Sequence, residues 1–188
     1  MSEELNFIYD ETEEHMQKSI AHLEHELKSI RAGKASPNML VSVMVDYYGT
    51  PTPLSQVANV SARDAQTLTI QPWEKKMLPV IERAIINSNL GFAPNNNGEV
   101  VIINIPPLTE ERRKNLVKQA KEEAEVAKVS IRNIRKDANN DIKKLEKDKE
   151  ISEDESKAGH DKIQKLTDKY IEKVEKLLEK KEKDIMTV

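Results

Sequence analysis

Seven arginines occur in the chain: Arg31, Arg63, Arg83, Arg112, Arg113, Arg132 and Arg135. Four of the seven fall between 112 and 135, and the densest stretch is Val129-Ser130-Ile131-Arg132-Asn133-Ile134-Arg135-Lys136-Asp137-Ala138-Asn139. A guanidinium offers a planar fork of donors that meets a phosphate or carboxylate with two parallel hydrogen bonds. At helical spacing Lys121, Lys128, Arg132 and Arg135 share one flank of a helix. The chain is nevertheless mildly acidic, with a net charge of -3. An acidic protein that gathers its arginines on one helix face is expected to have one specific anionic partner, not to coat nucleic acid at large.

A plainer explanation of the same charges exists. Residues 112–136 hold nine basic and three acidic groups, while residues 1–30 hold two basic and eight acidic. The two segments could pair as neighbouring helices through rim salt bridges, each individually weak. Lysine would serve that purpose equally well, and all thirteen basic residues from 137 to 188 are lysine. The choice of arginine at 112, 113, 132 and 135 therefore argues for phosphate recognition. Arg31, at the end of the first helix, could join them.

Other chemistry finds little support. There is no cysteine, hence no disulfide and no thiolate chemistry. His25-Glu26 begins a zincin pattern, but position 29 is Ser29 where a second histidine is needed. His22 and His25 read as solvated helix-face residues. Phosphate loops, dinucleotide fingerprints and nucleophile elbows are missing from the sequence, so no cofactor is implied. The carboxylates alternate with lysines at helical spacing, which is the pattern of a salt-bridged surface. Trp73 and the tyrosines read as core or contact residues, since no basic-aromatic interleaving surrounds them. These features predict a protein that is not an enzyme. The acidic start and the lack of a long apolar run predict a soluble, cytoplasmic protein without a membrane partner.

The elements that must position the arginines follow from two composition zones. Residues 34–105 carry ten charged groups, and the other 116 residues carry 53. All eight prolines and all glycines except Gly159 fall between 33 and 107. A Pro/Gly-rich segment is thus inserted between charge-dense helical ones. Leu5, Ile8, Thr12, Met16, Leu23, Leu27 and Ile30 recur at three- and four-residue steps and predict a helix over about 2–31. A second helix starts after Pro106-Pro107, with Thr109 as N-cap and Glu110 and Glu111 suited to the dipole. Its seam runs Leu116, Ala120, Ala124, Ala127, Ile131, Ile134, Ala138, Ile142 and Leu145. Ser152-Glu153-Asp154-Glu155 has the form of a capping box and opens a third helix, with Ile163, Leu166, Tyr170, Val174, Leu177 and Ile185 as its seam. No one of these helices hides its apolar stripe alone. Three together do so as an antiparallel bundle, and a seam consumed internally favours a monomer.

The insert reads as β/α/β. Val41, Val43, Val45 and Tyr47 alternate with polar neighbours as a half-buried strand, and 48–53 reads as a rigid turn. Thr67-Leu68-Thr69-Ile70 and Val100-Val101-Ile102-Ile103 are further strands, 95–98 a loop. Pro79 fits the first turn of a helix with Val80, Ile81, Ala84 and Ile85 inward. The expected division is a bundle of 1–31 and 107–188 with an inserted domain of 32–106. The crossings at Ala32, Gly33, Lys34, Ile105, Pro106 and Pro107 form a hinge.

Five collinear motifs carry a family resemblance: Arg31-Ala32-Gly33-Lys34-Ala35-Ser36-Pro37, Tyr47-Tyr48-Gly49-Thr50-Pro51-Thr52-Pro53-Leu54, Pro106-Pro107-Leu108-Thr109-Glu110-Glu111-Arg112-Arg113-Lys114, Arg132-Asn133-Ile134-Arg135-Lys136-Asp137-Ala138-Asn139 and Lys147-Asp148-Lys149-Glu150-Ile151-Ser152-Glu153-Asp154. Together they resemble the ribosome recycling factors over essentially the whole chain. The resemblance implies an α+β fold, a three-helix bundle interrupted by a β/α/β domain, L-shaped like tRNA. It implies binding across the A and P sites of the large subunit against 23S rRNA, followed by subunit splitting with elongation factor G and GTP. The GTPase activity belongs to that partner. By motif Arg132 corresponds to the family's important bundle arginine, with Arg135 and Lys136 beside it. Lys128, Arg31, Arg112 and Arg113 complete the expected RNA-binding set. Lys34 and Lys136 stand where the family often has arginine, which keeps the charge and loses the fork. The competing explanation is a helical scaffold or chaperone; a nuclease ranks lower, since no carboxylate cluster for a metal stands out.

Overall fold

The structure, a computed structural model, describes residues 2–187. In chain order its elements are α1 (Glu3–Ser29), β1 (Met44–Tyr47), β2 (Thr50–Pro53), β3 (Ala58–Asp64), β4 (Thr67–Pro72), α2 (Leu78–Asn87), β5 (Pro94–Asn96), β6 (Val101–Asn104), α3 (Glu110–Lys147) and α4 (Glu153–Met186). They form two compact units. One takes the chain up to Ala32 and again Glu110–Thr187; the other is Gly33–Thr109.

The first unit is a three-helix bundle. Each helix buries the stripe its periodicity predicts: Leu5, Ile8, Thr12, Met16, Leu23 and Leu27 on α1, and Leu116, Ala120, Ala124, Ala127, Ile131, Ala138 and Ile142 on α3. Ile134, Leu145 and Leu177 reach only partial burial, at the edge of their seams. α3 spans 38 residues, about 57 Å at 1.5 Å per residue. The Ser19 and Ser130 hydroxyls meet at 2.9 Å across α1 and α3. The Glu13 carboxylate accepts from Tyr170 Oη at 3.2 Å and Lys169 Nζ at 3.4 Å, tying α1 to α4. Gly159 fits where all three helices converge: a Cβ there would stand 3.2 Å from Leu5 Cδ2 and 3.4 Å from Ile142 Cδ1. The pairings Leu5 with Gly159 and Glu13 with Tyr170 make α1 parallel to α4, and α3 runs against both.

The α3–α4 turn is built by local hydrogen bonds. Lys149 takes φ 61° without being glycine. The Lys149 N–H bonds the Glu146 carbonyl and the Glu150 N–H the Leu145 carbonyl, which is a Schellman end. The capping box then opens α4: Ser152 Oγ accepts from the Glu155 N–H at 3.2 Å, and Glu155 Oε2 accepts from the Ser152 N–H at 2.9 Å. Those bonds from Ser152 hold the Glu155 carboxyl below its ordinary value of 4.5. A depressed carboxyl stabilises the fold above its ordinary range and loses that contribution as pH falls through its lowered value. Ser152→Ala keeps the Ser152 N–H bond but removes the Oγ that accepts from the Glu155 N–H and donates to its carboxylate, and the loss of this N-cap is expected to cost about 1 kcal/mol of stability near neutral pH. Thermal unfolding at pH 7 and at low pH checks this, with a smaller gap between wild type and variant at the acid end. An equal gap at both would rule it out.

The second unit wraps α2 against a four-stranded antiparallel sheet of order β3-β4-β6-β5, with β1 and β2 as a separate hairpin. Its core holds Val43, Val45, Leu68, Ile70, Ile81 and Ile103, among others. Tyr48 and Gly49 form a two-residue hairpin loop, both at positive φ (51° and 84°), and Asp46 Oδ1 accepts from the Gly49 N–H at 2.8 Å. Two local expectations change here. Val41 is 72% exposed, because residues 37–40 form a 3-10 turn and the strand begins only at Met44. The turn expected over 48–53 closes at Gly49, and Thr50–Pro53 pairs as a strand. β3 and β5 were not expected from sequence; β5 is a three-residue edge strand whose pairing with β6 defines it.

Candidate nucleic-acid interface

α3 places its basic side chains by simple rotation. At about 3.6 residues per turn, Lys121, Lys128, Arg132, Arg135 and Lys136 fall on one flank, on the opposite side of the seam from Ser130. Ser130 faces α1. The flank therefore borders α4, and rim pairs form there. Lys121 Nζ lies 3.9 Å from Glu182 and Lys128 Nζ 3.5 Å from Glu175. Arg135 Nη1 donates to Gln164 Oε1 at 3.3 Å, and Gln164 Nε2 donates to Asp168 at 2.9 Å. Lys121 and Lys128, seven residues apart on α3, meet Glu182 and Glu175, seven apart on α4, and Arg135, a further seven along, meets the neutral Gln164. These are the rim pairs of an antiparallel helix pair.

The plainer reading of the charges is thus correct about rim pairs but not about their partner helix. The acidic α1 spends carboxylates elsewhere: Glu13 on α4, and Glu14 on Lys18 one turn along at 3.0 Å. The Lys18 ammonium holds the Glu14 carboxyl below its ordinary value.

The rim pairs sort the expected RNA-binding residues. Lys128 leaves only 20% of its side chain exposed. Arg135 is half-buried, and its Nε is buried with no hydrogen-bond partner among the described residues. Both make contacts within the bundle, Lys128 with Glu175 and Arg135 with Gln164. Arg132 keeps 51% of its side chain in solvent and meets Glu125 Oε1 at 3.3 Å. Lys136 and Arg31 are exposed. Arg112 is exposed and Arg113 half-buried in the first turn of α3. Helical rotation carries Arg112 to the far side of the helix from Arg132. The exposed members of the flank are therefore Lys121, Arg132 and Lys136, and of these Lys121 lies 3.9 Å from Glu182 of α4.

The crossing residues lie in defined surroundings. Gly33 has φ 72°, and a Cβ on it would stand 2.3 Å from Leu108 Cγ. The Ala35 N–H bonds the Ala65 carbonyl at 2.8 Å and the Ile105 N–H bonds the Gln66 carbonyl at 2.7 Å, so both strands of the crossing fasten to one turn between β3 and β4. Ile105 is buried in the core of the second unit. Ala32 and Lys34 are half-buried, Pro106 and Pro107 exposed.

Sequence reasoning missed three features. Glu125 stands inside the basic flank; its spacing of seven from Arg132 was the available signal. The acidic partners on α4 carried the same seven-residue signal. Trp73 is 68% exposed and not a core residue, and beside it Tyr48 Oη donates to Glu74 at 3.0 Å with Lys76 Nζ 4.6 Å above the Tyr48 ring. His22, 4.0 Å from Glu26, is a solvated helix-face residue as expected.

Comparison with known proteins adds the following. The family model described as ribosome recycling factor matches residues 23–186. The chain is similar to the ribosome-recycling factor of Flavobacterium psychrophilum, 62% identical over 188 residues with all of both chains covered. It is similar to that of Sulfurovum sp., 55% identical over 184 residues, covering 98% of this chain and 100% of the relative. Among solved structures, a solution structure of ribosome recycling factor matches with TM-score 0.70 and 39% identity, covering 100% of both chains. A second describes the T. thermophilus ribosome recycling factor and E. coli elongation factor G bound to the E. coli post-termination complex, with TM-score 0.60, 48% identity and 100% of both chains covered.

Proposed function

The chain belongs to the ribosome recycling factor family, and we propose that its bundle docks on 23S rRNA of the large subunit through the outward flank of α3. It acts in ribosome recycling after termination: with elongation factor G and GTP it parts the post-termination complex into subunits. The relative seen with elongation factor G on a post-termination complex supports these partners. GTP hydrolysis is the elongation factor's chemistry, so this chain is assigned no catalytic step, and its work is done in the cytoplasm where ribosomes turn over.

The observation that carries the docking surface is the split within the basic flank. Lys121, Lys128 and Arg135 each meet a side chain of α4, whereas Arg132 meets Glu125 of its own helix and, with the exposed Lys136, is the part of the flank that meets phosphate in this reading. Arg31, Arg112 and Arg113 add positive charge from other faces. Phosphate contacts of this kind are salt-dependent and independent of base identity. The crossings at Ala32–Lys34 and Ile105–Pro107 serve as the joint across which the second unit moves while the bundle stays bound.

Light scattering of post-termination ribosomes tests the function directly. Addition of the protein with a matched elongation factor G and GTP is expected to lower scattering as subunits separate. No change with any one component omitted is the control. A protein that leaves scattering unchanged in the complete mixture lacks the proposed activity.

A further inference from the structure

The basic flank of α3 between Lys114 and Lys136 contains one acidic residue, Glu125. Its Oε1 lies 3.3 Å from Arg132 Nη1. Seven residues separate the two, beyond the three- or four-residue step of an ordinary helix pair. Both side chains must therefore extend along the helix axis toward each other. Both also stay in solvent, at 51% exposed for Arg132 and 60% for Glu125. Their neighbours on the flank, Lys121 and Lys128, turn instead to α4. A carboxylate thus occupies the most exposed guanidinium of the flank, with the charge and oxygen spacing of a phosphate.

We infer that Glu125 is a specificity-determining residue of the RNA interface, an internal competitor that screens Arg132 from phosphate in the free protein. The inference rests on the reading that Arg132 meets rRNA. A flexible single strand must displace the carboxylate and then hold its phosphates beside a like charge. A folded rRNA surface that presents phosphate in a fixed geometry, and contacts Lys136 as well, recovers that loss. Glu125 therefore lowers binding to arbitrary RNA more than binding to the subunit. The strength of an exposed pair sets the size of the effect at about two- to fivefold.

Binding to poly(U) and to isolated large subunits, at one fixed salt concentration, is compared for wild type, Glu125→Gln, Arg132→Ala and the double variant. Glu125→Gln is expected to tighten poly(U) binding by about two- to fivefold. It should change subunit binding less, so the ratio of the two falls. In the Arg132→Ala background the same substitution should leave poly(U) binding unchanged. Equal tightening in both backgrounds would mean that only a long-range charge was removed, and would overturn the proposal. So would equal tightening toward poly(U) and subunits, or no tightening of poly(U) at all. A failure of the underlying reading shows separately, as unchanged subunit binding by Arg132→Ala alone.

Discussion

Arg132→Ala is expected to weaken binding to the large ribosomal subunit by about ten- to a hundredfold, from the ~1.5–3 kcal/mol of a charge-assisted hydrogen bond to phosphate. The fold should not change. Arg132 lies half in solvent and its partner is the equally exposed Glu125, a pair whose loss costs under about 1 kcal/mol. The dependence of affinity on salt should become shallower by about one counterion. Lys128→Ala gives the contrast, since that side chain is largely covered and bonded to Glu175. Its loss should register in thermal stability and less in subunit binding. Subunit pelleting or filter binding across a salt series, with circular dichroism alongside, reads both quantities. Native affinity and native salt slope in a folded Arg132→Ala protein would remove Arg132 from the interface.

Gly33→Ala is expected to destabilise the second unit by about 2–4 kcal/mol, from two sources. The left-handed φ of 72° is unfavourable for any side chain, at ~1–2 kcal/mol. The added methyl would also stand 2.3 Å from Leu108 Cγ and 2.6 Å from Leu108 Cδ1, so Leu108 has to leave its seat. Removing that side chain separates the two sources. In a Leu108→Ala background the steric part should vanish and only the backbone part remain. Amide hydrogen exchange at Ala35 and Ile105, whose N–H groups hold the crossings to the β3–β4 turn, localises the effect. A Gly33→Ala protein as stable as wild type would refute the argument, as would one whose loss is undiminished by Leu108→Ala. The effect on subunit splitting should follow that on stability, because the same contact orders both crossings.

The helices were legible because their signals are local and long. The α1 stripe from Leu5 to Leu27 repeats often enough for its period to be unmistakable, and all of those positions are buried. Ser152 and Glu155 announced a helix start within four residues, and both reciprocal bonds form. The strands were harder. Val41 continues the alternation of Val43 and Val45 but lies in solvent, since Pro37 and Asn38 open a 3-10 turn that sets the strand's start. β5 is Pro94-Asn95-Asn96, residues typical of loops, and becomes a strand only because β6 offers it an edge.

The candidate site divides along the same line. That Arg132 and Arg135 share a helix flank follows from rotation alone, and is a matter of sequence. Which of them faces solvent is not. α1 carries the opposite charge in bulk, yet the rim pairs form with α4, because α4 packs against the flank and α1 against the side marked by Ser130. Charge totals are blind to that choice: a wheel places residues around one helix and says nothing about which helix lies beside which face. Periodicity along the chain therefore determined the three helices, their seams and the basic flank. Only the packing of distant segments decided that Lys128 and Arg135 meet α4 while Arg132, paired with Glu125 on its own helix, keeps half of its side chain in solvent.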